Sequence, residues 1–118
     1  MHILIAEDDD LLRALLAEFL AGLGHTVRSA SNGFELVELA LKERPDLVIT
    51  DLHMPEMAGN SMIAMLGLYP DFSGIPVMVI SGATPAEIAG MGIPREIPVL
   101  QKPFDFARIE SELTRICG

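Results

Sequence analysis

Short apolar runs along this chain alternate with longer stretches in which apolar residues recur every three to four positions. The short runs are His2–Ala6 (HILIA), Thr26–Ala30, Asp46–Thr50 (DLVIT), Ile75–Ile80 (IPVMVI) and Ile97–Leu100 (IPVL). Most are apolar without alternation, as strands covered on both faces of a parallel sheet are. The longer stretches read as helices. From Leu11 to Leu23, the residues Leu12, Leu15, Leu16, Phe19, Leu20 and Leu23 share one face, with Asp10 as the N-cap and Gly24 as the C′ stop. From Phe34 to Arg44 the core face is Leu36, Val37, Ala40 and Leu41, and Pro45 ends the helix. A third helix, Asn60 to Tyr69, is rich in Met and Leu, with Pro70 beyond it. Thr84-Pro85 reads as a cap and a proline at the first helical position. That fourth helix runs only to about Met91, because Gly90, Gly92 and Pro94 follow closely. Asp105 caps a last helix whose core face is Phe106, Ile109, Leu113 and Ile116. Five strand–helix alternations predict an α/β fold, a doubly wound parallel sheet with right-handed crossovers.

Composition narrows the class. A chain of 118 residues has room for one core, so residues 1–118 are expected to form a single domain. Half of the residues are hydrophobic and 21% are charged, the balance of a packed globule. The apolar runs are too short to span a bilayer, and Glu7–Asp10 interrupts the N-terminal one before it can serve as a signal peptide. The single Cys117 excludes an internal disulfide framework, and a cytoplasmic location is expected. Seventeen acids against eight bases give a net charge of −9, the wrong sign for nucleic-acid binding. Trp is absent and aromatics are 5%, so base-stacking platforms are not expected either. Neither nucleic acid nor membrane is an expected partner.

Open parallel sheets bind ligands beyond the C-terminal ends of their strands. The first run is followed by Glu7, Asp8, Asp9 and Asp10, the third by Asp51, the fourth by Ser81, and the fifth by Gln101 and Lys102. Each alone has an ordinary structural reading: an acidic run as a solvated cap, Asp51 as a turn residue, Ser81-Gly82 and Lys102-Pro103 as loops. Together they place carboxylates, a hydroxyl and an ammonium at one edge of the sheet. Like charges about 4 Å apart repel by roughly 4 kcal/mol at an effective dielectric of about 20, and a hard cation relieves this. Oxygen ligands without His or Cys favour Mg²⁺, which also accepts phosphate oxygens. Lys102 suits a phosphoryl oxygen, Ser81 can donate to another, and Asp51 can attack phosphorus to form an aspartyl phosphate.

With these residues in place, the chain resembles the receiver domain of two-component response regulators over its whole length. The segments that carry the resemblance are LIAEDDDLLR, DLVITDLHMPEMAG, PVMVISGA and VLQKPF. The resemblance implies a flavodoxin-like sheet of five strands, order 2-1-3-4-5, with five helices. It implies that Asp51 is the phosphoacceptor, that Asp8 and Asp51 hold Mg²⁺, and that Glu7 contacts the metal chiefly through water. It assigns the backbone carbonyl of His53 as the third protein ligand. Ser81 matches the switch hydroxyl and Lys102 the phosphate-binding ammonium, with a cis Lys102-Pro103 bond. The implied partners are a histidine kinase or a histidine phosphotransfer protein and a downstream protein target. The domain is expected to be a signalling switch, catalysing only its own phosphotransfer and dephosphorylation.

One position departs from the family pattern. Receivers usually carry Tyr or Phe three residues before the Lys, and here that place is Val99. The aromatic rotamer switch therefore cannot operate. Output through mobility of the segment from Ser81 to Pro98 is one reading, and Val99 as a plain core residue is the other. Two rival functions follow from the same residues. A phosphohydrolase with an aspartyl-phosphate intermediate needs a second Asp two residues after the first, where this chain has His53. A degenerate receiver would act as a phosphate-independent interaction module, against which the set Glu7, Asp8, Asp51, Ser81 and Lys102 argues.

Overall fold

The computed structural model of the chain describes residues 1–51, 74–90, 93, 97–103 and 105–117. Strands β1 (His2–Ala6), β2 (Thr26–Ala30), β3 (Leu47–Asp51), β4 (Val77–Ser81) and β5 (Val99–Gln101) form one parallel sheet of order β2-β1-β3-β4-β5. Among the described residues there are four helices: α1 (Asp10–Gly22), α2 (Gly33–Lys42), α3 (Pro85–Ala89) and α4 (Phe106–Cys117). The third predicted helix, Asn60 to Tyr69, lies outside the described residues, as does the end of the fourth at Met91.

The period-two alternation of side chains sorts the strand residues into two cores. Leu4, Ala6, Ala30 and Val48 meet Leu36, Val37 and Ala40 of α2 on one face. Ile3, Ile5, Leu47, Ile49, Met78, Ile80 and Leu100 meet Leu16 and Leu20 of α1 and Ile109 and Leu113 of α4 on the other. β1 and β3 are therefore buried on both sides, which is why their sequences carry no polar stripe. Phe19 of α1 stacks on Phe106 of α4 with ring centroids 4.8 Å apart and closes the seam between these helices.

Several boundaries differ from the sequence reading. The N-cap of α1 is Asp9 and not Asp10: Asp9 has extended backbone, and its carboxylate accepts from Leu12 N–H at 3.0 Å. Asp10 is already helical and pairs with Arg13 one turn on. Gly24 follows the C-cap Leu23 with φ +97°, a left-handed conformation that a Cβ disfavours. Asn32 caps α2 by accepting from Glu35 N–H at 2.8 Å. That helix ends at Lys42 because Glu43 turns extended ahead of Pro45. Leu41 lies outside the core at 56% exposure, one helical step past Ala40. Leu15 and Leu23 are similarly 42% and 40% exposed, at the margin of the α1 face.

Pro76 and Pro98 lack an N–H, so β4 and β5 begin only after them, with their carbonyls accepting from Val48 and Val79. These shifts matter for chemistry, because Asp51, Ser81 and Gln101 become the last residues of their strands. They are held by the sheet ladder and do not float in loops.

Leu20→Ala removes a fully buried side chain of α1 and is expected to cost about 3 kcal/mol in urea unfolding. Leu11→Ala, at a position 71% exposed, is expected to stay within about 0.5 kcal/mol. Equal losses would contradict the orientation given to α1.

Candidate functional site

The site forms at the edge where β1 and its neighbour β3 end, with β5 ending one strand further on, beyond β4. Register puts Ala6 against Thr50, and Glu7 follows Ala6 as Asp51 follows Thr50. Glu7 has no exposed surface and Asp51 is 3% exposed. Each would be costly to bury as an anion without a partner. The partner is Lys102, whose Nζ donates to Glu7 Oε1 at 2.7 Å and to Asp51 Oδ2 at 2.6 Å. Lys102 directly follows the last residue of β5, and the Lys102-Pro103 bond after it is cis. Asp8 is exposed and completes a group of three carboxylates whose oxygens lie within 4.8 Å of one another. Asp9 and Asp10 stand apart from this group, committed to the helix cap and to Arg13.

Backbone bonds fix the acidic loop. Glu7 N–H donates to Ala30 C=O at 3.1 Å, and Glu7 Oε2 accepts from Asp9 N–H at 3.3 Å. Arg13 donates to Glu7 C=O at 2.8 Å from the first turn of α1. The buried Thr50 hydroxyl donates to Asp51 C=O at 2.9 Å. Neither Arg13 nor Thr50 stood out in the sequence, because a carbonyl partner leaves no pattern there.

Ser81 is fully buried at the end of β4. Its C=O accepts from Lys102 N–H at 2.7 Å, and its Oγ accepts from Ala83 N–H at 3.0 Å. The structure thus brings Glu7, Asp8, Asp51 and Lys102 into one cluster and ties Ser81 to the backbone of Lys102. His53, with its carbonyl, lies outside the described residues. Val99 is half-buried and paired in register with Val79. The segment from Ser81 to Pro98 is described only in part.

The electrostatics follow from burial. Burial pushes the Glu7 carboxyl up from 4.5 to about 7; the Lys102 bond opposes this, and the nearby Asp51 charge adds to it. Burial alone would lower the Lys102 ammonium, but its bonds to Asp51 and Glu7 outweigh that and raise it. One ammonium therefore does not fully discharge three carboxylates. The donor set is all oxygen, acidic and open on the Asp8 side, which fits a hard divalent cation such as Mg²⁺. Glu7, Asp8 and Asp51 are the side chains that would hold it.

The profile of the response regulator receiver domain matches residues 3–114. The chain is 33% identical over 115 residues to the DNA-binding transcriptional regulator NtrC of Azospirillum brasilense, covering 96% of this chain and 23% of that protein. Among solved structures, the chemotaxis response regulator CheY4 of Vibrio cholerae matches with TM-score 0.88 at 25% identity, covering 98% of this chain and 97% of that one. The receiver domain of a signal transduction histidine kinase from Syntrophus aciditrophicus matches with TM-score 0.88 at 29% identity, covering 98% and 88%. The chain spans about a quarter of the length of the first curated relatives it matches. Among the described residues no helix is long and apolar enough to cross a membrane.

Two predictions follow from the crowded carboxylates. Asp51→Asn leaves Lys102 its Glu7 partner and removes a repelling charge. It is expected to raise Tm in metal-free buffer by about 4 °C, equivalent to about 1 kcal/mol, and to reduce the stabilisation by Mg²⁺. A lower Tm would count against a crowded site. The second concerns pH. Folded Glu7 holds its proton more tightly than the unfolded chain does, so its contribution to stability is fully present below pH 4.5 and is lost as pH rises through about 7. The metal-free stability of the unmodified chain, measured against Glu7→Gln, should therefore fall across that window, by at most about 3 kcal/mol. A flat difference would show that Glu7 titrates normally.

Proposed function

The chain belongs to the response regulator receiver family of two-component phosphorelay signalling, and on that premise we propose that Asp51 accepts a phosphoryl group from a phosphohistidine. Histidine kinases phosphorylate receiver domains, so the donor is a histidine kinase or a histidine phosphotransfer protein. The observation that carries the reading is the Lys102 ammonium, bonded at 2.6 Å to Asp51 and at 2.7 Å to Glu7 beside the exposed Asp8. A carboxylate so placed is oriented by one oxygen and surrounded by groups suited to phosphoryl oxygens.

The chemistry is a displacement at phosphorus. An Asp51 carboxylate oxygen forms the new O–P bond as the P–N bond breaks; the donor ring carries a proton on its other nitrogen, so the bonding pair leaves with a neutral imidazole. Lys102 exchanges a carboxylate contact for a phosphoryl oxygen. Ser81 donates its O–H to another. Asp8 and Asp51, with Glu7 chiefly through water and the His53 carbonyl as the expected further ligand, would hold a Mg²⁺ ion, which would supply neutralising charge to the phosphoryl oxygens. Most of the catalysis is positioning and charge neutralisation, which these residues provide without a separate acid or base.

The product adds about −1.5 to −2 charge at the sheet edge. That charge biases the backbone after β4 toward a second arrangement, read by a downstream protein. The chain acts as one domain and as a cytoplasmic switch, not as a metabolic enzyme. The degenerate interaction module is the reading that remains if phosphate is never accepted.

Intact mass after incubation with acetyl phosphate, with and without Mg²⁺, tests the proposal. A Mg²⁺-dependent gain of one phosphoryl group, lost in Asp51→Ala, is expected. No gain from this donor or from a phosphorylated kinase would favour the interaction module. Steady turnover of phosphate esters would favour the hydrolase.

A further inference from the structure

Two consecutive residues of the β5 end hold the backbone that follows β4. Lys102 N–H donates to Ser81 C=O at 2.7 Å. One residue earlier, Gln101 Nε2 donates to Ala83 C=O at 2.8 Å, a partner that can only accept and so fixes which end of the amide points there. Between these anchors, Ala83 N–H donates to Ser81 Oγ at 3.0 Å. Ala83 is thus held at both of its polar groups, by Ser81 on one side and by Gln101 on the other. It is itself 6% exposed, so water does not readily replace either bond.

This arrangement constrains the Ser81 hydroxyl. A hydroxyl has one donor and two acceptor lone pairs. With one lone pair taken by Ala83 N–H, the oxygen is fixed in place and its own O–H is directed away from that amide. It remains a donor for an incoming anionic oxygen. If Ala83 rotates, the oxygen loses this restraint and the hydroxyl can turn to other acceptors. Packing does not require Gln at position 101: the residue is exposed, while its neighbour Leu100 supplies the apolar contact of this strand.

We propose that Gln101 is a positioning residue for phosphoryl transfer, acting through Ala83 to keep Ser81 presented as a donor. The assignment rests on the phosphoacceptor reading above and deepens it. The end of β5 then sets two groups of the site at once. Lys102 delivers its ammonium directly, and Gln101 sets the hydroxyl of the neighbouring strand.

Gln101→Met keeps the length of the side chain and removes the donor. The rate of phosphoryl gain from acetyl phosphate with Mg²⁺, followed by intact mass, should fall about fivefold, since small misplacements of a positioned group are felt strongly in rate. In a Ser81→Ala background the same substitution should change nothing further, because its effect passes through Ser81. Amide exchange at Ala83 gives a reading independent of phosphorylation and should accelerate in Gln101→Met. A Gln101→Met chain that gains phosphate at the unmodified rate would overturn the assignment. So would a fivefold loss that persists without the Ser81 hydroxyl, which would mark a general structural role. If the unmodified chain gains no phosphoryl group while Ala83 exchange responds as expected, the phosphoacceptor reading fails, and the catalytic assignment of Gln101 falls with it.

Discussion

Two carboxylates buried at one sheet edge share a single ammonium, and the rest of the site is arranged around that fact. Glu7 and Asp51 are nearly inaccessible to water, yet Lys102 bonds both at less than 3 Å. The ammonium lowers the cost of burying them but does not remove it. The residual cost appears in Glu7, whose carboxyl is held up to about 7 mainly by burial. With Asp8 added, three carboxylates gather around the one ammonium seen among the described residues. Such a site favours any ligand that brings positive charge, and it keeps the Asp51 carboxylate partnered and oriented.

The fold makes this cluster tolerable by separating packing from chemistry. Apolar residues of β1 and β3 alternate into two cores, one under α2 and one under α1 and α4. Every strand runs the same way, so the residues that end β1, β3, β4 and β5 all meet at one edge. The polar groups there are anchored by main-chain bonds, including Glu7 N–H to Ala30 and Lys102 N–H to Ser81. Their positions follow from strand register, and the core side chains can vary in size without moving the carboxylates from the edge.

Much of this could be read in the chain because the two periodicities are strong. The unbroken runs HILIA and DLVIT announce two-sided burial, and the polar residues after each run announce an edge. Finer features were not legible for physical reasons. Four acids in a row, Glu7 to Asp10, look equivalent until backbone angles decide that Asp9 caps α1. Leu41 and Leu15 fit a helical face on paper but lie at its margin in space. The grip of Lys102 on Glu7 joins residues 95 positions apart, and no local pattern encodes such a contact. Gln101 looked like one polar strand-end residue among several, because its partner is a backbone carbonyl of the adjacent loop.

The central claim is that the carboxylate gripped by Lys102 takes the phosphoryl group as an acyl phosphate. Borohydride reduction tests it most directly, since hydride converts an aspartyl phosphate to homoserine and leaves a free carboxylate untouched. Peptide mass analysis after phosphodonor, Mg²⁺ and borohydride should place homoserine at position 51 and at no other acid. Homoserine at Asp8 or Asp9, or phosphate retained on a histidine with position 51 unchanged, would contradict the account.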